Sequence, residues 1–252
     1  MTMSKRVVAK SLVDKVMSLV AGAGKMVVVC HMTPDGDAMG SSLCLKHTLE
    51  AIGKKVCVVV PDCPPGQLMF LPGAEDIVVA SYHPERAAAL LRNTDLIWCL
   101  DFNDLKRIDR MAPLVEASHA PRIVVDHHLN PQIKADVLVS NPDKSSTCAL
   151  LFLLLEDMGL VPEMPVEGAT CCCCGMMTDT GNFSYNSNDP ELYRILSILV
   201  AKGVDKDAVY TRVFNTTSES RVRIMGYGQY AKMQLLPEHK AAVITLSKEE
   251  LD

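Results

Sequence analysis

The sequence predicts an α/β fold in which helices cover both faces of a mostly parallel sheet. Short apolar runs rich in Val, Ile and Leu recur along the chain, and segments of helical length separate them. These runs are continuous rather than alternating, which is typical of parallel strands that are buried on both faces. Polar residues follow several of the runs directly, and open α/β sheets bind ligands at that edge.

The elements follow one another in an alternating order. The predicted strands are residues 26–30, 56–60, 77–80, 96–100, 122–125, 135–139 and 241–246. The predicted helices lie within residues 1–25, 41–51, 84–92, 105–117, 145–158, 166–177, 190–202, 205–214 and 218–235. This order predicts a parallel α/β domain, then a run of helices, then a strand that begins a further domain.

Composition and charge limit the kinds of molecule that the chain is expected to bind. The chain has 252 residues, 48% of them hydrophobic and 22% charged, which is enough apolar material for a sizeable core. The formal net charge of −5 gives no basic patch for long nucleic acid, whose binding depends on Lys and Arg. Short oligonucleotides and nucleotide phosphates stay candidate partners, because bound metal ions supply positive charge locally.

The chain shows the features of a soluble, cytoplasmic protein. Residues 1–25 lack the apolar core and cleavage site of a signal peptide, and the apolar run 148–155 is too short to span a bilayer. Several of the ten cysteines sit in apolar runs, as buried thiols of reduced proteins do. Residues 171–174 are four consecutive cysteines, and without a matching pair their pattern favours helix packing over a zinc site.

The turn after the first predicted strand carries an imidazole and two carboxylates. Pro34 and Gly36 shape the backbone so that His31, Asp35 and Asp37 share one small space. Such nitrogen and oxygen ligands suit Mg²⁺ or Mn²⁺, and the imidazole favours Mn²⁺. The alternative is a polar turn in which an aspartate caps the following helix.

Three later segments add polar residues of the same kind. Asp101 ends a buried strand, where an isolated aspartate would simply cap the next turn. Asp126, His127 and His128 follow another strand, so that one imidazole can bind a metal while the other faces substrate and Asp126 orients a ring. Asp179 lies where a helix gives way to a Gly-containing turn, as a turn residue or as a fourth carboxylate.

In this order the four segments resemble the motifs of the DHH phosphoesterases. The similarity covers about residues 26–186. The form of the first motif most resembles the DHH/DHHA1 branch of nanoRNases (oligoribonucleases), which also act as 3′-phosphoadenosine 5′-phosphate phosphatases. Family II inorganic pyrophosphatases typically have Thr in place of Gly36, and RecJ-type exonucleases have a differently arranged Asp-Gly motif.

The resemblance implies a centre of two divalent cations, Mn²⁺ or alternatively Mg²⁺, that activates a water for attack on phosphorus. One ion would be held by His31, Asp35 and Asp101, and the other by Asp37, Asp101, His127 and Asp179. The implied catalytic residues are Asp101, Asp126 and His128, with His128 on the scissile phosphate and Asp126 behind it. Gly40, Ser41 and Ser42 would add phosphate contacts at a helix N-terminus.

The resemblance also implies a division of the chain. Residues 1–190 would form the DHH catalytic domain, residues 191–236 a helical extension and connector, and residues 237–252 the beginning of a truncated DHHA1 substrate-binding domain. The Gly-rich, His-containing segment of that domain does not occur before residue 252. A homodimer is compatible with this organisation.

The expected reactions are hydrolysis of short oligoribonucleotides to mononucleotides and of 3′-phosphoadenosine 5′-phosphate to AMP and phosphate. A cyclic or linear dinucleotide phosphodiesterase of the same superfamily would share every metal ligand, and pyrophosphatase or exopolyphosphatase activity is disfavoured by Gly36. A protein of a different class, a nucleotide-binding scaffold with this fold, would have no need to keep all six metal ligands.

Overall fold

A six-stranded parallel sheet forms the centre of the protein, as the sequence predicts. In the computed structural model, which describes residues 8–251, the strand order is β3-β2-β1-β4-β5-β6. The strands of this sheet are β1 (Lys25–Val29), β2 (Lys55–Val60), β3 (Val78–Val79), β4 (Leu96–Leu100), β5 (Arg122–Asp126) and β6 (Val137–Ser140). Each neighbouring pair is parallel.

Helices cover both faces of the sheet. Within the described residues they are α1 (Lys10–Gly22), α2 (Gly36–Ala51), α3 (Pro84–Arg92), α4 (Ala112–Ala117), α5 (Thr147–Asp157), α6 (Val166–Asp179), α7 (Pro190–Ala201), α8 (Lys206–Phe214), α9 (Glu219–Tyr227) and α10 (Lys248–Leu251). Alternate residues of β1 point into the cores on opposite faces of the sheet. Val28 packs in the core with α1, α2, α5 and α6, whereas Val27 and Val29 pack in the core with α3 and α4. The α/β fold class is therefore confirmed.

Two helices around the predicted metal turn are longer than the sequence indicated. Helix α2 begins at Gly36 rather than at residue 41, because the side chain of Asp35 accepts hydrogen bonds from the amides of Asp37 and Ala38 and caps the helix. Helix α6 runs on to Asp179 instead of ending at residue 177. Asp37 and Asp179 therefore project from helices rather than from loops.

Two predicted helices are not continuous. Residues 105–117 divide into a 3₁₀ segment, Leu105–Met111, and helix α4, with Asp109 at φ 41° between regular turns. Pro113 fits only the first turn of a helix, so α4 starts anew at Ala112. Residues 218–235 form α9, a π-helical turn (Gly228–Lys232) and the strand β7 (Met233–Leu236), because Met233 and Leu235 pair with the strand β8 (Ala241–Ile244).

The chain divides into two compact units by its contacts. One extends to Val213 and contains the parallel sheet, and the other starts at Phe214 and contains the antiparallel pair β7–β8. The boundaries predicted at residues 190 and 236 stay predictions, because compact units need not coincide with family domains. Within residues 8–251, no helix is long and apolar enough to cross a membrane.

Candidate metal centre

The sheet brings three of the predicted segments to one edge. The register pairs Val29 with Cys99 in the two central strands, so His31 and Asp101 lie at equivalent positions beyond the strand ends. The strand order changes direction between β1 and β4, and such switch points are where open α/β sheets form ligand clefts. The segment of Asp126, His127 and His128 leaves the adjacent strand β5 at the same edge.

Asp101 occupies the middle of this edge. It is buried, with 2% of its surface exposed, and its backbone is left-handed, with a φ of 63°. A non-glycine residue in this region costs about 1 kcal/mol or more, and the surrounding contacts hold it there. Its amide donates to the carbonyl of Val125 at 3.1 Å, and its carboxylate accepts from the hydroxyl of Thr147 at 2.8 Å. The carboxylate is thereby fixed between the two groups of predicted ligands.

His31 points one ring nitrogen at this carboxylate. Its Nδ1 lies 2.8 Å from the carbonyl oxygen of Met32, which can only accept, so Nδ1 carries the proton of the neutral ring. Its Nε2 lies 3.3 Å from Oδ2 of Asp101 and 3.7 Å from Oδ1 of Asp35. The lone pair of the neutral imidazole therefore faces two carboxylates.

His127 has the same arrangement on the other side of Asp101. Its Nδ1 lies 3.1 Å from the carbonyl oxygen of Lys144, so the carbonyl selects the same tautomer. Its Nε2 lies 3.3 Å from Oδ2 of Asp179, 3.9 Å from Oδ2 of Asp37 and 3.7 Å from Oδ1 of Asp101. The six predicted ligands thus converge on two neighbouring positions that share Asp101.

This donor set fits two hard divalent cations. A lone pair that faces carboxylate oxygens at these distances is repelled unless a proton or a metal ion lies between them. Nε2 of His31 is buried and makes no hydrogen bond with any described residue. The ligand atoms of His31, Asp35 and Asp101 lie within 4.8 Å of one another, as do those of Asp37, His127 and Asp179. Carbonyls on the opposite ring nitrogens are the usual orienting partners of metal-binding histidines.

Asp37 is the most deeply enclosed of the carboxylates. It has no exposed surface, and it accepts hydrogen bonds from the amides of Thr147 at 2.5 Å and Cys148 at 2.8 Å. These are the first amides of helix α5, whose N-terminus favours negative charge. The hydroxyl of Ser146 accepts a hydrogen bond from the amide of Ala149 and caps this helix.

Glycines allow helices α2 and α6 to approach closely behind the carboxylates. A Cβ atom on Gly36 would lie 2.4 Å from the side chain of Thr178, and one on Gly40 would lie 2.5 Å from the carbonyl of Cys171. A Cβ on Gly175 would lie 2.2 Å from the sulfur of Cys148 and 2.9 Å from Oδ1 of Asp37. The four cysteines at 171–174 are all buried, in keeping with the predicted role in helix packing.

The metal-free centre holds protons on its histidines. Burial by itself lowers the pKa of His31, but the carboxylates of Asp101 and Asp35 raise it to about 10. The pKa of His127 is raised to about 9, because Asp179 and Asp37 outweigh the opposing effect of burial. Burial, together with the charges of Asp101 and Asp179, raises the pKa of Asp37. A divalent cation at this centre therefore has to displace protons.

His128 lies on the open side of the centre. Its Nδ1 contacts Oδ1 of the buried Asp126 at 2.8 Å, and its amide donates to the other oxygen at 3.0 Å. Its side chain is 36% exposed and lines a cleft of about 620 Å³. Asn103 fixes the backbone here by donating to the carbonyls of His128 and Leu129. This pairing leaves Nε2 of His128 for a ligand in the cleft.

Three predicted phosphate contacts lie elsewhere. Gly40, Ser41 and Ser42 are buried in helix α2, and the two serines have no exposed surface. Because the helix starts at Gly36, these residues lie in its second turn rather than at its N-terminus, and Gly40 lies against helix α6. The structure does not bring them together with the residues of the cleft.

Several residues that shape the centre were not identified from the sequence as parts of it. Thr147 holds Asp101, the carbonyl of Lys144 orients His127, and Asn103 holds the segment after His128. Serine and threonine before an apolar run signal a helix start, but this signal does not reveal that the first residues of the helix bind the carboxylates of Asp37 and Asp101. The long-range contacts of Asn103 and Lys144 leave no local signal.

Comparison with known proteins places the chain in a family. The model of the DHH family, N-terminal domain, matches residues 25–176. The bifunctional oligoribonuclease and PAP phosphatase NrnA of Thermus thermophilus is 33% identical over 209 residues, which are 82% of this chain and 59% of NrnA. The cyclic-di-AMP phosphodiesterase GdpP of Geobacillus thermodenitrificans is 26% identical over 79% of this chain and 31% of its own length. The chain thus spans well under two thirds of either relative.

A solved structure matches almost the whole chain. The exopolyphosphatase-related protein from Bacteroides fragilis is 45% identical, with a TM-score of 0.96, over 98% of this chain and 72% of that protein. The matched family model begins at β1 and ends within α6, so it includes five of the six predicted ligands, while Asp179 lies just beyond its end. By its motifs, its fold and these similarities, the chain belongs to the DHH family.

Proposed function

We propose that this chain carries the two-metal centre of a phosphoesterase that hydrolyses short oligoribonucleotides to mononucleotides and 3′-phosphoadenosine 5′-phosphate to AMP and phosphate. The observation that supports the reaction type is the convergence of three carboxylates on Nε2 of His127, within 3.9 Å, beside the matching group at His31. The similarity to NrnA supports the substrate class.

The proposed ligands divide between the two ions as the resemblance implies. His31, Asp35 and Asp101 would hold one ion, and Asp37, Asp101, His127 and Asp179 the other. Mn²⁺ is the proposed metal because imidazole and carboxylate ligands occur together, with Mg²⁺ as the alternative. When bound, the ions would polarise the phosphoryl oxygens and lower the pKa of the attacking water.

The side chains of this protein would position the substrate and balance the charge of the ions. Asp126 holds the ring of His128 through Nδ1, so that Nε2 in its protonated form can donate a hydrogen bond to an oxygen of the scissile phosphate. Four aspartates among the proposed ligands balance the charge of two divalent cations, which allows an anionic phosphate to enter the cleft. Asp37 and Asp101 are buried, so the surrounding protein shields these two carboxylates from water.

A cyclic-dinucleotide phosphodiesterase is the second candidate. The similarity to GdpP favours it, and such an enzyme would use the same ligand set. Exopolyphosphatase or pyrophosphatase activity is the third, since the structural relative from Bacteroides fragilis is described as exopolyphosphatase-related. These candidates differ in substrate rather than in metal centre, so an assay separates them.

The first experiment measures Mn²⁺-dependent hydrolysis of a 5′-phosphorylated RNA dinucleotide and of 3′-phosphoadenosine 5′-phosphate. We expect turnover of both, and a loss of more than about 10³-fold in Asp101→Ala together with a loss of bound Mn²⁺, because this residue contributes to both ions. Asp104→Asn is the matched control, since Asp104 caps a 3₁₀ turn three residues away and Asn caps equally well.

The outcomes separate the candidates. Turnover of cyclic di-AMP or pyrophosphate, with neither of the first two substrates cleaved, would replace the proposed substrates and leave the metal centre in place. A protein that bound no Mn²⁺ and gained no activity with it would contradict the proposal as a whole. Full activity in Asp101→Ala would contradict the ligand assignment.

A further inference from the structure

Arg107 is a cation of the cleft wall that the metal centre does not use. It is half-buried in the 3₁₀ segment Leu105–Met111, and it lines the same cleft as His127 and His128. Its carbonyl accepts a hydrogen bond of 2.7 Å from the amide of Met32, the residue after His31. Its amide donates to the carbonyl of Asp104 at 3.0 Å. The backbone of Arg107 is therefore tied to the edge of the sheet at which the carboxylates meet.

The guanidinium of Arg107 has no partner among the described residues, in contrast to its neighbours. Lys106 lies 4.0 Å from Asp104, and Arg110 lies 3.7 Å from Asp109. The second cation of the cleft, Lys144, is paired with Asp189 at 2.7 Å. Among residues 8–251, no carboxylate oxygen lies within 4.0 Å of the Arg107 guanidinium, and its side chain makes no hydrogen bond. Arg107 is thus the cation of this cleft that is available to an anion from outside.

We propose that Arg107 binds a phosphate group of the substrate that is not cleaved, and that it thereby selects substrates that carry a second phosphate near the scissile one. This inference rests on the proposed function and names a residue that determines its specificity. A guanidinium presents a planar fork of N–H donors that matches the oxygens of phosphate, and it keeps its charge at every working pH.

The position of Arg107 distinguishes the two phosphates. A group held directly at the carboxylates would lie against Asp101, Asp179 and His128, and the guanidinium is more than 4.0 Å from those carboxylates. Because Arg107 lines the cleft beside His128 and does not belong to the ligand cluster, the proposal assigns to it a phosphate next to the scissile one. In both proposed substrates, the 5′-phosphate is the group that remains uncleaved.

The surroundings suit an extended anion rather than a second metal ion. The other residues of this cleft wall are amides and apolar side chains, namely Asn103, Leu129, Pro142 and Asn186, with one exposed carboxylate at Asp143. One carboxylate in an open position holds a cation poorly, whereas the amide of Asn186 and a guanidinium can donate hydrogen bonds to phosphate. A half-buried charge without a partner is also easily paired, because it has already lost part of its water.

The test compares substrates with and without the second phosphate. Kinetics are measured for a 5′-phosphorylated RNA dinucleotide against its 5′-hydroxyl form, and for 3′-phosphoadenosine 5′-phosphate against adenosine 3′-monophosphate. In Arg107→Met we expect KM for the 5′-phosphorylated substrates to rise by about 10- to 100-fold, and kcat and the values for the 5′-hydroxyl substrates to change little. The KM of Arg107→Lys for these substrates should lie between those of the wild type and Arg107→Met, since an ammonium keeps the charge but not the planar fork of donors.

Arg110→Met is the matched control, because Arg110 lies on the same segment outside the cleft, and it should behave as the wild type. Equal losses for both kinds of substrate in Arg107→Met, or no loss, would overturn the inference. Binding of AMP, which keeps the 5′-phosphate, provides a readout without turnover and should weaken about 10-fold or more in Arg107→Met.

Failure of the proposed function gives a different result. If the wild type cleaves neither pair of substrates, that function fails, and AMP binding alone then decides on Arg107. Unchanged AMP affinity in Arg107→Met would overturn the inference in that case too.

Discussion

The centre has a closed half and an open half, and the two are built differently. In the closed half, helices α2 and α6 meet through glycines and buried thiols, and Asp37 has no exposed surface. In the open half, His128 is 36% exposed, and Arg107 lines a cleft without an ion-pair partner in residues 8–251. Close packing holds metal ligands at fixed distances, whereas exposed side chains can donate hydrogen bonds to a substrate that binds and dissociates. This comparison supports the proposal that the buried carboxylates bind metal and that the exposed side chains of the cleft contact substrate.

The largest expected difference between the halves concerns His128. In His128→Gln we expect kcat to fall by about 10²- to 10³-fold, because a positioned donor to the phosphate is lost. Both ions should stay bound, since the proposed ligands are unchanged. Metal content by elemental analysis, alongside single-turnover kinetics, checks this. Loss of the ions in His128→Gln would contradict the division, because it would give an open-side residue a role in the closed half.

The closed half is tested by Gly175→Ala. The added Cβ would lie 2.2 Å from the sulfur of Cys148 and 2.9 Å from Asp37, so we expect the free energy of unfolding to fall by about 1–3 kcal/mol. Mn²⁺ affinity should fall as well, because Asp37 has to move. Denaturant unfolding and Mn²⁺ titration measure the two effects.

Two further variants control for a general effect of replacing glycine. At Gly22 nothing lies within 4 Å of an added Cβ, so Gly22→Ala should be neutral or slightly stabilising. Gly175→Ala combined with Cys148→Ala removes the sulfur that the new methyl group meets and should regain part of the loss. A double variant no better than Gly175→Ala would mean that the contact with Cys148 is not the cause.

The smallest expected effect is on the pH dependence of stability. The stability of the metal-free protein should fall as pH rises, whereas the stabilisation by bound metal should grow. In the metal-free protein the pKa of His31 is about 10 and that of His127 about 9, both above the ordinary value of 6.5. Groups with raised pKa stabilise the folded state below pH 6.5, and this contribution is lost as pH rises through about 9 to 10. The raised pKa of Asp37 acts in the same direction, since its ionisation in the fold is unfavourable.

Thermal unfolding tests this dependence. We expect the Tm of the metal-free protein to fall between pH 6.5 and pH 9, and the increase in Tm caused by Mn²⁺ to grow over the same range, because the ions displace protons from the histidines. His31→Gln and His127→Gln should flatten both trends, whereas His239→Gln, at an exposed histidine outside the centre, should not. An effect of Mn²⁺ on Tm that stayed constant down to pH 5 would count against both histidines as ligands.

Local patterns were sufficient for some elements of the sheet and its helices. The strand at 96–100 and the helix at 84–92 have the predicted bounds, because continuous apolar runs and a proline at a helix start are local signals. They were not sufficient where distant segments compete. The helix predicted at 218–235 gives way to a strand at Met233, since pairing with residues 241–244 depends on a contact that helical spacing does not reveal.

The sequence by itself determined the α/β class, the order of the motifs and the family, because these depend on residue types and spacing along the chain. Only the tertiary structure decided which atoms meet. It selected Nε2 of His31 and His127 through the carbonyls of Met32 and Lys144, and it buried Ser41 and Ser42 away from the cleft. It also placed Arg107 in the cleft of His128, with no ion-pair partner in the described part of the chain. Such contacts join residues far apart in the chain, and their geometry follows from helix packing and strand register rather than from any local pattern.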